Sequence, residues 1–163
     1  MQFIIKKFLI ILTFVIFIST PSKLYTASFD DFGIISIMYH RFNESKYPST
    51  NIQMEIFKKH IEKIKTSGYK FLNPASLPEK FYKEKLEKKF LLTVDDGYRS
   101  FYEHAWPYLK KNKVPFLIFI STEAVGKSGY MNWEEIKEVE KYDFAHIGNH
   151  SHSHDYLINF SFN

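Results

Sequence analysis

The chain has 163 residues, with 22 lysines and arginines against 18 acidic residues, seven histidines and no cysteine. That length holds one domain at most, and a composition 45% hydrophobic and 18% aromatic supplies a core and excludes a disordered chain. Without cysteine there is no disulfide, no thiolate metal site, no cysteine nucleophile and no cysteine-borne lipid anchor, so any metal is held by histidine and carboxylate.

The formal charge of +4 is uneven along the chain. Lys6, Lys7 and Lys23 are the only charges before Asp30, and the remainder carries +1. Beyond them lysines alternate with glutamates, as from Glu79 to Lys89, which is the pattern of a solvated surface and argues against a nucleic-acid partner. Lys6 and Lys7 precede the apolar run Phe8 to Ile18, and Ser19, Thr20 and Pro21 follow it. The run is shorter than the ~20 apolar residues of a spanning helix. Residues 1–28 therefore read as a signal peptide or an uncleaved N-terminal anchor, cut after Ala27 or Ser28 if cut at all. The expectation is an exported protein, periplasmic, extracellular or anchored to the outer face of the cytoplasmic membrane, which touches the membrane only through this segment.

From residue 29 onward, short apolar runs alternate with amphipathic stretches. Gly33 to Tyr39 predicts a strand, and a polar loop with Asn43, Ser45, Pro48 and Ser49 follows. Phe57, Ile61 and Ile64 recur at helical spacing, with Thr50 or Asn51 as the expected cap and Gly68 as the stop. Tyr69 to Leu72 predicts a short strand, and residues 75–89 a short helix with a charged connection. Phe90 to Val94 predicts a strand ending at Asp95-Asp96-Gly97. A helical stretch then runs to about Asn112, with Pro107 in the first turn of its main helix, where a missing N–H does no harm. Phe116 to Ile120 is the next strand. Asn132 caps a helix from Trp133 to about Tyr142, and Phe144 to Ile147 is the strand before Gly148-Asn149-His150. Strands apolar on both faces, alternating with helices, indicate a parallel α/β sheet or barrel. In such folds, function gathers at the carboxyl ends of the strands.

Two clusters lie at such ends. His146, His150, His152 and His154 fall within nine residues, and the four-residue spacing of His150 and His154 lets two imidazoles face one ion if the segment turns. A hydrolytic zinc site takes three protein ligands and keeps a position open for water. Asp95-Asp96-Gly97 alone reads as a turn or a helix cap. Beside the histidine pair it offers a third ligand, because adjacent carboxylates at a strand end point in different directions. One ligates, and the other is left as a base toward a water whose pKa the metal lowers to ~7.

Thr93-Val94-Asp95-Asp96-Gly97 resembles the Thr-Phe-Asp-Asp-Gly motif of the polysaccharide deacetylases, the NodB-homology or carbohydrate esterase family four enzymes. Gly148 to His154 (GNHSHSH) resembles their His-(Ser/Thr)-x-x-His motif. Met38-Tyr39-His40-Arg41, the helix from Phe57 to Gly68-Tyr69, and Trp133-Glu134-Glu135-Ile136 are similar to the branch acting on poly-N-acetylglucosamine exopolysaccharides. The resemblance covers residues 33–157 and implies a partial (β/α) barrel, with four to five of the usual seven to eight strands. Residues 29–87 would form its N-terminal β/α segment and residues 88–163 a NodB-homology domain incomplete at its C-terminal end.

The resemblance also implies roles. Asp95 would be the general base. Asp96, His150 and His154 would ligate a divalent metal, most often Zn2+, and the substrate would be an N-acetylated amino-sugar polymer, cleaved to acetate and a free amine. Tyr98 and His40 are the substrate-binding candidates, while His152 reads as a neighbour of the ligands. The aromatic residues Phe101, Tyr102, Trp106 and Phe116 to Phe119 suit sugar stacking by type but are at spacings more typical of core. The family pattern continues past the histidine motif with an arginine motif and a histidine general acid, neither of which the nine residues after His154 supply. The alternative expectation is a catalytically inactive remnant that binds metal or glycan.

Overall fold

The computed structural model describes residues 33–77 and 89–159, so the expected leader and most of the expected charged connection before the second main strand lie outside the described residues. Strand β1 (Ile34–Tyr39) leads into a small parallel ladder made by β2 (Arg41–Phe42) and β3 (Asn51–Ile52). Helix α1 (Met54–Thr66) and β4 (Lys70–Phe71) follow, then β5 (Lys89–Val94). A π-helical turn over Phe101–Ala105 enters α2 (Trp106–Asn112), with Pro107 in its first turn as expected. Strand β6 (Phe116–Ile120), helix α3 (Trp133–Glu140) and β7 (Ala145–Asn149) complete the alternation. Among the described residues no helix is long and apolar enough to cross a membrane.

Among the described residues, five strands make one parallel sheet in the order β1-β5-β6-β7, with β4 also on β5. β1 pairs with β5 along its whole length, from Ile34 with Lys89 to Tyr39 with Val94. The opposite edge of β5 is divided: β4 takes Lys89 and Phe90, and β6 takes Thr93 and Val94. This is the partial (β/α) barrel expected from the sequence. One face of the sheet is packed under the helices, with Leu92, Val94, Phe116 and Ile118 fully buried among Phe57, Ile61, Phe101, Leu109 and Val139. Each such side chain contributes ~1.5–3 kcal/mol by leaving water, so these strands hold their register firmly.

One local expectation is corrected and another holds. Neither Thr50 nor Asn51 caps α1. Asn51 lies in β3 and its side chain accepts from the Glu44 amide at 2.7 Å, while Asn43 supplies the oxygen that accepts from the Met54 amide at 2.8 Å. The loop thus brings a cap from eleven residues upstream. Asn132 does cap α3, in a reciprocal box with Glu135 (2.8 Å both ways) that ends the loop after β6 at a fixed point.

Because the strands are parallel, the residues after their last members share one edge of the sheet. These are His40 after β1, Asp95 after β5, Ser121 after β6 and His150 after β7. The Asp95 amide donates to the Tyr39 carbonyl at 2.8 Å, and the His150 amide to the Ile120 carbonyl at 3.0 Å, so both clusters extend the ladder by one step.

Candidate metal centre

The turn after β5 is built from two consecutive left-handed residues, Asp96 (φ 71°) and Gly97 (φ 70°). Aspartate tolerates that region better than most residues. Gly97 is demanded twice, because a Cβ there would also stand 2.6 Å from the Cδ1 of Ile120. The turn sends Asp95 and Asp96 into different clefts. Asp95 lines one of about 380 Å³ on the open face of the sheet, with Thr93, Phe119 and His150. Asp96 lines another of about 300 Å³ among the loops that follow β5, β6 and β7, with Tyr98, Ser121, Tyr130 and His154.

After β7 the chain turns twice through positive φ, at Ser151 (63°) and His154 (57°). The Asn149 side chain accepts from the Ser151 amide at 2.6 Å, and Ser151 Oγ accepts from the His154 amide at 3.1 Å. This folding back brings the two imidazoles to 4.6 Å between centroids, nearly perpendicular. His150 Nε2 lies 3.3 Å, and His154 Nε2 3.2 Å, from Asp96 Oδ1. One ligand atom from each of Asp96, His150 and His154 lies within 4.8 Å of the others.

Asp96 Oδ1 is buried, yet it has no hydrogen-bond partner, since neither imidazole directs an N–H at it. A buried carboxylate oxygen without a donor costs on the order of 1–3 kcal/mol or more. Two nitrogens and an orphaned carboxylate oxygen converging on one point are the donor set of a divalent zinc-type cation, so these residues fit the metal that the resemblance implies.

Asp95 sits beside this triad, with Oδ2 4.0 Å from His150 Nε2 and its side chain 13% exposed. Burial raises its carboxyl above the usual aspartate range, and the neighbouring His40 and His150 partly oppose that rise. His40 is half-buried at the end of β1, next to Asp95 in the electrostatic sense. His152 is held apart, with Nδ1 2.8 Å from Thr122 Oγ1. Ser121, which the sequence reading passed over, donates to the His150 carbonyl at 3.0 Å and braces the histidine segment.

Of the aromatic candidates for stacking, Phe101, Trp106 and Phe116 are core residues, at most 2% exposed. Tyr102 is tied by its hydroxyl to Glu138 at 2.6 Å. Tyr98 does line the cleft. The Arg41 guanidinium lies 3.4 Å above its ring, however, and Tyr130 lies 4.8 Å from it at 32°. Burial, and then the neighbouring Tyr130, push the Tyr98 hydroxyl well above the ordinary tyrosine range. Arg41 and Tyr130 carried no signal of this in the sequence, because each meets Tyr98 across a loop.

Comparison with known proteins bears on the family and the fold. The family model for polysaccharide deacetylases matches residues 82–162. The YxkH protein of Bacillus subtilis (strain 168) is 32% identical over 123 residues, covering 74% of this chain and 42% of that protein. A poly-beta-1,6-N-acetyl-D-glucosamine N-deacetylase of Staphylococcus aureus (strain MSSA476) is 27% identical over 156 residues, covering 82% of this chain and 52% of that one. Among solved structures, IcaB from Ammonifex degensii superimposes with a TM-score of 0.67 at 31% identity, covering 73% of this chain and 53% of the other. The deacetylase PplD of Streptococcus pyogenes shares the fold at a TM-score of 0.66 and 23% identity, covering 78% and 60%. The chain thus spans about half the length of the curated relatives it matches.

Proposed function

The chain belongs to the polysaccharide deacetylase family, and from that premise we propose that it is an exported, metal-dependent carbohydrate N-deacetylase acting on an N-acetylated amino-sugar polymer. The observation that carries the reading is the convergence of Asp96, His150 and His154 within 4.8 Å, with Asp95 4.0 Å from His150. Asp96, His150 and His154 would hold the ion. A divalent ion in such a site, zinc by donor type, supplies Lewis acidity and brings the pKa of a water toward ~7.

Asp95 has the chemistry of the base. Burial raises its carboxyl above the usual aspartate range, which makes it a better proton acceptor than an exposed aspartate. Water adds to the acetamido carbonyl carbon as Asp95 removes a proton from it. The C–N bond then breaks as the proton taken up by Asp95 passes to the leaving nitrogen, and the products are acetate and a free amine. Ser121 and Ser151 keep the histidines in place through the chain fold that they brace. The polymer class is supported by the Staphylococcus aureus relative, whose name specifies poly-beta-1,6-N-acetyl-D-glucosamine. Export is supported by the charged and apolar pattern of residues 6–21. Acetate release from N-acetylglucosamine oligomers, measured with and without a chelator, tests the proposal. Release that the chelator abolishes and added zinc restores is the expected result, and release indifferent to chelator overturns metal dependence.

A further inference from the structure

The cleft on the Asp96 side of the triad has a wall that the metal chemistry does not use. Tyr98 and Tyr130 face each other at 4.8 Å, and their backbones form an antiparallel bridge. The bridge is extended by the Arg99 amide on the Gly129 carbonyl and the Met131 amide on the Gly97 carbonyl, both 2.9 Å. Arg41 fills the opposite face of Tyr98 at 3.4 Å, since a guanidinium so close leaves no room for a second ring on that side, and it also lies 3.9 Å over Tyr47. The Glu44 carboxylate fixes Arg41 at 2.8 Å. The stack therefore runs Tyr47, Arg41, Tyr98, Tyr130, and Tyr130 is its terminal ring at the cleft.

We propose that Tyr130 is the platform on which a pyranose ring of the polymer stacks while its acetamido group faces the triad of Asp96, His150 and His154. The inference rests on the deacetylase reading and adds to it the residue that grips the sugar. Tyr98, with both faces covered, is the buttress rather than the platform. The axial C–H groups of a pyranose carry slight positive charge and meet the negative face of an aromatic ring favourably. At about 300 Å³ the cleft is at the small end for a ligand site, suited to one sugar unit. Its remaining wall carries the donors and acceptors that ring hydroxyls require: Ser121, the Glu123–Lys127 pair at 2.8 Å, and His152. The stack holds Tyr130 in place before the sugar arrives, so little ordering is left to oppose binding.

The test is calorimetric titration of the zinc-loaded full chain with a pentamer of β-1,6-linked N-acetylglucosamine, for wild type, Tyr130→Ala, Tyr130→Leu and Tyr130→Phe. Thermal melts accompany each titration, and the leucine variant keeps apolar bulk against Tyr98. The expected result is a loss of about tenfold in affinity for the alanine and leucine variants, the size of a tyrosine hot spot. Tyr130→Phe should bind within about twofold of wild type on that account, and zinc affinity should be equal in all four. Pentamer binding by the alanine and leucine variants within twofold of wild type would overturn the platform while leaving the deacetylase reading intact. Zinc binding by the wild type without any pentamer binding would overturn both.

Discussion

The turn at Asp95-Asp96-Gly97 can be tested by a substitution that changes one atom at a time. Gly97→Ala places a methyl group on a residue with φ 70° and sets it 2.6 Å from Ile120 Cδ1, the next nearest atom being 3.9 Å away. The left-handed backbone costs about 1–2 kcal/mol for an alanine. Ile120 is only 4% exposed, so the overpacking adds about 1–3 kcal/mol. The total is about 2–5 kcal/mol. Ile120→Val deletes Cδ1 itself, at a cost of about 0.5–1.5 kcal/mol on its own. In that background Gly97→Ala meets only ordinary contacts, and its cost falls to the backbone part. Urea unfolding of the four proteins in the cycle measures the coupling, expected at about 1–3 kcal/mol in favour of the double variant. An equal cost for Gly97→Ala in both backgrounds would refute the packing argument, and a cost below about 0.5 kcal/mol in wild type would refute both parts.

Zinc at a hundred times its dissociation constant should raise unfolding free energy by about 2.7 kcal/mol. His154→Ala should lower zinc affinity by more than about 100-fold, above the effect of losing an outer-shell partner; calorimetry on the chelated and reloaded protein checks both. Tyr39 is buried, its hydroxyl paired with His60 at 2.8 Å, and burial pushes its pKa up to about 12. Between its ordinary value and that one the unfolded chain loses the proton and the folded chain keeps it. The stabilisation is thus complete below pH ~10 and is lost as pH rises toward 12, on the order of 2 kcal/mol. Tyr39→Phe should flatten that alkaline limb in urea titrations, and an unchanged slope would contradict the burial argument.

What the sequence makes legible is what neighbouring residues encode. FLLTV before Asp-Asp-Gly, FLIFI, and the strand leading into GNHSHSH are local patterns, and parallel pairing carries their ends to one edge of the sheet. Hence Asp95, Asp96, His150 and His154 could be named together before any coordinates. The Asn43 cap and the Arg41–Tyr98–Tyr130 stack were out of reach because each joins loops with no periodic pattern. Tyr98 was identified by position alone, and position says nothing about which of its faces is free. The aromatic residues beyond it were separated into core and surface only by burial, since Phe116 and Phe119 look alike in sequence yet point to opposite faces of β6.

The claim that Asp95 moves the proton while Asp96 holds the ion is tested most directly by one paired measurement. Asp95→Asn and Asp96→Asn are compared with wild type for zinc affinity and for acetate release from N-acetylglucosamine oligomers, asparagine being chosen because it tolerates the φ of 71° at Asp96. The account predicts that Asp95→Asn keeps zinc and loses acetate release by at least about 100-fold, whereas Asp96→Asn loses both. Acetate release surviving in zinc-loaded Asp95→Asn, or zinc bound as tightly by Asp96→Asn as by wild type, would contradict it.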